Sequence, residues 1–311
     1  MNSLASPNTT MQRISRCSTV GLAVLLCAAP LLRAQQTVPE WPTVEHALGR
    51  KGALMPGNVL KFSFPRSDLA VTLHGVHLQP SLALGSWVAF KRVGGSHAMV
   101  MGDLVMTEGE VGPVMEALQA GGVEQTALHN HLIGESPHVL YMHIRVYGEE
   151  TKVAQVIHDA LTRTGTPLGP AAVVPAPLFE LDTASLAAAL GYAGRLNGGV
   201  YQVSVPRAET IFEDQMEIPA SMGVATAINF QPTGGGKAAI TGDFVLTAVE
   251  VNRVVRALED SGIQVTAIHS HMLDESPRLV FLHFWSNSDA ISLARSLHMA
   301  LAMTNVVAPT R

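Results

Sequence analysis

The chain has 311 residues and a formal net charge of −5, with 14% charged, 47% hydrophobic and 5% aromatic side chains. An acidic balance with no basic cluster argues against a nucleic-acid partner. Both cysteines, Cys17 and Cys27, lie close to the start, so the remaining sequence offers neither a disulfide framework nor thiolate ligands, and any metal must use His, carboxylate or Met.

Arg13 and Arg16 precede an apolar run from Val20 to Leu32, with a cleavage site expected after Ala34. This is the pattern of a secretory signal peptide, residues 1–34, and it predicts an exported protein, periplasmic or extracellular. No later apolar run is long enough to span a bilayer, so no stable membrane insertion is expected after cleavage. Removing the segment takes out three arginines and no acid, which moves the charge from −5 to −8.

The remaining length fits two modest domains, with repeat domain 1 expected over 35–164 and repeat domain 2 over 179–311. Between them, residues 165–178 carry four prolines and read as a linker. Segments 59–64 and 69–78 suggest a hairpin, followed by a strand over 98–106. Thr107-x-x-Glu110 is a capping box, and Val111, Val114, Met115 and Leu118 give the helix it opens one apolar face. Gly121-Gly122 ends that helix. Two strands and a second helix, carrying Val153, Val156, Ile157, Ala160 and Leu161, complete a β-α-β-β-α unit.

The unit then recurs. Residues 102–147 align without a gap to 242–287, with 18 of 46 positions identical, and Thr247-x-x-Glu250 repeats the capping box. The predicted fold class is α+β, two tandem β-α-β-β-α repeats, each a mostly antiparallel sheet with helices on one face. Both copies keep His-x-His, then Glu-Ser-Pro, then a third His: His129, His131 and His143, and again His269, His271 and His283. A duplicated fold needs only its apolar pattern and its turns, so three imidazoles retained twice ask for a chemical reason.

Alternation along a strand places His129 and His131 on one side. A hairpin centred on Ser136 sets His143 opposite His129, and the same register applies to the second copy. Three converging imidazoles suit zinc or a similar divalent ion; copper is the rival, with Met99, Met101, Met142 and Met272 nearby in sequence, although Met142 and Met272 alternate onto the apolar face. Glu135 is a candidate fourth ligand or general base, and Asp103 and Asp243 are candidates to orient an imidazole. The bland alternative is a metal-free network of hydrogen-bonded histidines. His74, His77 and His97 lack His counterparts in the second copy, which predicts unequal halves with the tighter site in the first.

With PRSDLAVTLHGV, ALGSWVAFKR, MGDLVMTEGEV and TALHNHLIGESPHVLYMH in view, the chain resembles the LppY/LpqO-type family of bacterial exported proteins. The resemblance covers most of the chain after the signal and implies an envelope location and a repeat architecture, but no reaction. Some members look like lipoproteins, whereas here Leu25-Leu26 precedes Cys27 in place of small residues. Two functions follow. One is an exported protein binding a divalent metal or small polar ligand, its two His faces turned toward each other across a cleft. The other is a zinc-dependent hydrolase or lyase with Glu135 as base.

Overall fold

The computed structural model describes residues 41–169 and 178–309. The expected signal segment and most of the proline-rich linker lie outside the described residues. The first repeat runs α1 (Pro42–Ala47), β1 (Ala53–Met55), β2 (Val59–Pro65), β3 (Thr72–Leu73), β4 (Val76–His77), α2 (Pro80–Ala83), β5 (Gly85–Gly94), β6 (His97–Thr107), α3 (Glu108–Ala120), β7 (Glu124–His129), β8 (Val139–Glu149) and α4 (Glu150–Leu161). The second runs α5 (Thr183–Leu190), β9 (Arg195–Asn197), β10 (Val200–Pro206), β11 (Ile211–Glu213), β12 (Met216–Ile218), a 3-10 turn at Ala220–Met222, β13 (Ala225–Gly234), β14 (Lys237–Leu246), α6 (Ala248–Glu259), β15 (Gln264–His269), β16 (Val280–Asp289) and α7 (Ala290–Leu301).

Each repeat builds a six-stranded antiparallel sheet of the same order, β1-β2-β5-β6-β8-β7 and β9-β10-β13-β14-β16-β15. The expected tandem α+β architecture is what forms. Both capping boxes close as the sequence requires, each Thr side chain accepting from the third helical N–H while Glu110 or Glu250 accepts from the Thr backbone N–H. Val114 and Leu118, like Val254 and Leu258, are fully buried against the sheet.

Segment 69–78 does not pair with 59–64. Strand β2 lies between β1 and β5, and 69–78 forms the separate small hairpin β3–β4. Its turn explains why: His74 (φ 48°) and Gly75 (φ 81°) both take the left-handed conformation of a two-residue hairpin, so the segment closes on itself. The second repeat does the same through Asp214 (φ 49°) and Gln215 (φ 64°). The long central strand β5 is the element that the sequence reading omitted.

The central strands are buried on both faces. Along β6, Val100, Leu104 and Met106 pack on α1, α3 and α4, while Met99, Met101 and Val105 join clusters shared with the second repeat. The sheet faces turned away from α1, α3 and α4 and from α5, α6 and α7 therefore meet, with the short α2 and the 3-10 turn packed between the repeats, giving layers in the order helix, sheet, sheet, helix. Polar contacts also cross this interface: Gln231 accepts from the Gln79 N–H (2.8 Å) and donates to the His77 carbonyl (2.7 Å), and Lys61 donates to the Ser221 carbonyl (3.1 Å).

Candidate metal centre

The hairpin register differs from the expected one. His129 pairs with Tyr141 and His143 with Ala127, because β7 stops at His129, β8 starts at Val139, and a bulge lies between Gln125 and Ala127. A shift by two residues keeps every side chain on its face, so the two histidines still share one side. His131 lies past the strand end, in a bend, and still turns its ring to within 5.1 Å of that of His129. The second copy repeats the arrangement, with His269 opposite Phe281 and His283 opposite Ala267.

Met272, expected on the apolar face, packs between the sheets and not beneath the helices, as does Leu132, and Leu128 and Ile268 are half exposed on the edge strands. Met142 does face the helices.

The two triplets converge. Ring centroids are 3.7 Å apart for His129 and His269, 3.8 Å for His131 and His283, and 3.7 Å for His143 and His271. Under the 140-residue offset the first pair maps onto itself and the other two exchange, so a pseudo-two-fold axis passes between His129 and His269. The six imidazoles thus form one cluster, in which the His faces of the two repeats are turned toward each other. His129, His269, His271 and His283 each offer a ligand atom within 4.8 Å of the others, as do His129, His131 and His143.

The local hydrogen bonds aim these rings. The Nδ1–H groups of His129, His269 and His283 donate to the carbonyls of Asn130 (3.2 Å), Ser270 (3.4 Å) and Gly242 (3.0 Å). A carbonyl only accepts, so Nδ1 carries the proton and the Nε2 lone pair is left free. The Nε2 atoms of all six histidines are buried with no hydrogen-bond partner. Thr126 and Thr266, retained before each His-x-His and missed in the sequence reading, fix the backbones across the axis: Thr126 Oγ1 donates to the His271 carbonyl (2.6 Å) and Thr266 Oγ1 to that of His131 (2.5 Å). Tyr141 stacks on His131 at 3.4 Å and Phe281 on His271 at 3.7 Å.

Two aspartates flank the cluster. Asp103 lies opposite His143 on β6 and Asp243 opposite His283 on β14. Asp103 oxygens are 3.8 Å from His143 Nε2 and 4.0 Å from His131 Nε2; Asp243 oxygens are 3.9 Å from His271 Nδ1 and 4.0 Å from His283 Nδ1. The glycine before each aspartate has a steric reason, since a Cβ on Gly102 would come within 2.8 Å of the Trp87 carbonyl, and one on Gly242 closer still to that of Ala227.

Burial holds all six histidines below their ordinary range, most strongly His131, His143, His271 and His283. For His129 burial and the neighbouring His269 pull the value down to about 3. Burial pushes Asp103 up to about 8, against the pull of Lys61, and raises Asp243 well above the usual carboxylate range, with Asp103 adding to the effect. Without a cation, burial therefore favours the neutral form of the imidazoles and of both carboxyls.

Other candidates lie elsewhere. Glu135 is buried in the hairpin loop, where its carboxylate accepts from His138 (2.7 Å) and from the Val139 N–H (3.3 Å); Glu275 accepts from Arg278 and from the Leu279 N–H. His74, His77 and His97 are exposed and outside the cluster, and His158 and His298 sit on helices as expected.

Residues 42–163 and 184–303 each match the family model described as Domain of Unknown Function (DUF1259). No curated protein matches the chain. Among solved structures, the trimeric bacterial microcompartment shell protein PduB matches at 12% identity, over 84% of this chain and 99% of that one, with a TM-score of 0.24. EtuB from Clostridium kluyveri matches at 11% identity, over 83% and 97% of the two chains, with a TM-score of 0.21. At these scores the likeness carries no argument about function.

Proposed function

We propose that this chain, which belongs to the family described as Domain of Unknown Function (DUF1259), binds a transition-metal ion through the six-histidine cluster between its repeats. The observation that carries the reading is the set of six buried Nε2 atoms without hydrogen-bond partners. Buried polar atoms are ordinarily paired, and six orphans within one cluster are well suited to a cation that accepts nitrogen lone pairs. His129 belongs to both ligand groups and has one free lone pair, so the sets compete for it and one ion per chain is expected.

Zinc or a similar borderline divalent ion fits four imidazoles best. Charge balance supports a divalent cation: its field would return Asp103 and Asp243 to their ionised forms, and two carboxylates neutralise two positive charges. The resemblance to LppY/LpqO-type exported proteins and the Arg-flanked apolar start support export to the periplasm or beyond, where such a protein would hold or pass on the ion. A small polar ligand is the alternative occupant of the cluster.

Binding without catalysis is favoured over hydrolase or lyase chemistry. The gap beside His143 and His271 has a volume of about 10 Å³, room for about one water-sized sphere and not for an organic substrate. Glu135, the candidate base, is held in its own loop through Oε1 and belongs to neither group of ligand atoms.

The test is metal analysis of the full chain after chelator treatment and titration with Zn(II). One equivalent is expected, and His129→Ala combined with His269→Ala should weaken binding by at least about 100-fold, the upper range for damage to a metal site's supporting shell. A wild-type protein that takes up no zinc at micromolar concentration, or a double variant that binds as tightly, would overturn the proposal.

A further inference from the structure

The two ends of the histidine cluster differ in one respect that packing does not require. Around His143 and His271 the shared core contains Met99, Met101, Met222 and Met272, with Met216 packed against it. Around His131 and His283 the equivalent positions, 140 residues away, hold Ala239, Thr241, Leu82, Leu132 and Val76. Methionine often serves as a flexible gap filler, yet the same fold fills all five places at its other end without a sulfur atom.

Three of these methionines, Met101, Met222 and Met272, line the gap of about 10 Å³ together with His143, His271 and Phe281. That volume suits a single ion or water and nothing larger. Thioether sulfur is a soft, uncharged donor that selects soft ions such as Cu(I) over zinc, whereas imidazole accepts both. The opposite end, with Leu, Ala and Thr, offers no such donor.

We propose that the methionine-lined end is a soft-ion subsite, in which Met101, Met222 and Met272 thioethers and the His143–His271 pair take a monovalent ion of the Cu(I) class. The subsite rests on the reading of the histidine cluster as a metal centre and adds a second ion class at one end of it.

Ag(I), a redox-inert ion of the same class, is the probe, titrated into the full chain alongside Zn(II). The variant combines Met101→Thr, Met222→Leu and Met272→Leu, each the residue the other repeat carries at that place. Ag(I) affinity should fall by at least about tenfold while Zn(II) affinity changes by less than about twofold. X-ray absorption of the silver-loaded wild type should show sulfur in the first shell. An all-nitrogen or oxygen shell, or Ag(I) binding indifferent to the three substitutions, would overturn the subsite. Retained zinc binding certifies the variant's fold; if it is lost, the wild-type absorption spectrum decides. Zinc uptake without silver uptake sinks this subsite alone, and failure to bind either ion sinks the parent reading with it.

Discussion

At the scale of single residues, Thr126 and Thr266 show how little chemistry joins the two repeats at the cluster. Each hydroxyl donates to the backbone carbonyl of the other repeat's second His, fixing the bend that carries His271 or His131. Replacing Thr126 by Val keeps the volume and removes the donor, leaving a part-buried carbonyl unpaired. A loss of about 1 kcal/mol per site is expected, measured as a lower urea midpoint with unchanged slope, and Thr126→Ser should restore most of it. A valine variant as stable as wild type would mean that the shared apolar clusters alone set the approach of the repeats. Both threonines are visible in the sequence as the first residue of TALH and TAIH, but a Thr in a strand is ordinary, and the sequence contains no sign that its acceptor lies some 140 residues away.

At the scale of elements, the legible parts were those fixed by local rules. Capping boxes, helix faces and the alternation that groups His129 with His143 follow from short-range chemistry and appear in the fold. The pairing partner of His129 did not, because the loop 130–138 and the bulge at Thr126 set the register, and neither is encoded by a turn-centred symmetry. The small hairpin was misassigned since left-handed backbone at His74 is a non-glycine conformation that composition does not announce. A further element-level device is the buried arginine at the end of β2. Arg66, 1% exposed, donates to the Val105 carbonyl and bridges Asp68 and the capping Glu110, while Glu110 also accepts from the Gly165 N–H beyond α4. Arg207, Glu209, Glu250 and Asn305 repeat the network. Arg66→Met leaves two carboxylates facing a site that has lost its cation. Breaking such a pair costs about 3–5 kcal/mol, so the variant should unfold at clearly lower urea than Arg66→Lys; equal midpoints for the two would show that the forked geometry, and not the charge alone, carries the network.

At the scale of the whole molecule, duplication turns a surface into a core. One repeat alone would expose the sheet face opposite its long helices; two such faces cover each other and bury the Nε2 atoms of six imidazoles where neither half could. The placement has a pH signature, most direct in metal-free protein. An unfolded chain protonates its histidines near pH 6.5, whereas folded His129 resists until about 3 and burial lowers the other five as well. For these groups the stability is full above 6.5 and is lost as pH falls toward 3. Asp103, raised to about 8, and Asp243 act in the opposite sense: their contribution is full below the unfolded carboxylate value near 3.8 and is lost as pH rises through the folded one. Six groups outweigh two between pH 6.5 and 4, so the melting temperature of chelator-treated protein should fall steadily from pH 7 to 5. Zinc should raise it at pH 7 and lose that advantage toward pH 5, as protons compete for the same nitrogens. The His129→Ala, His269→Ala variant removes two of the six groups and should show a shallower acid slope and no rise with zinc. A metal-free melting temperature that stays flat from pH 7 to 5 would mean that the imidazoles meet solvent in the absence of the ion, and that the cation itself draws the two sheets onto the cluster.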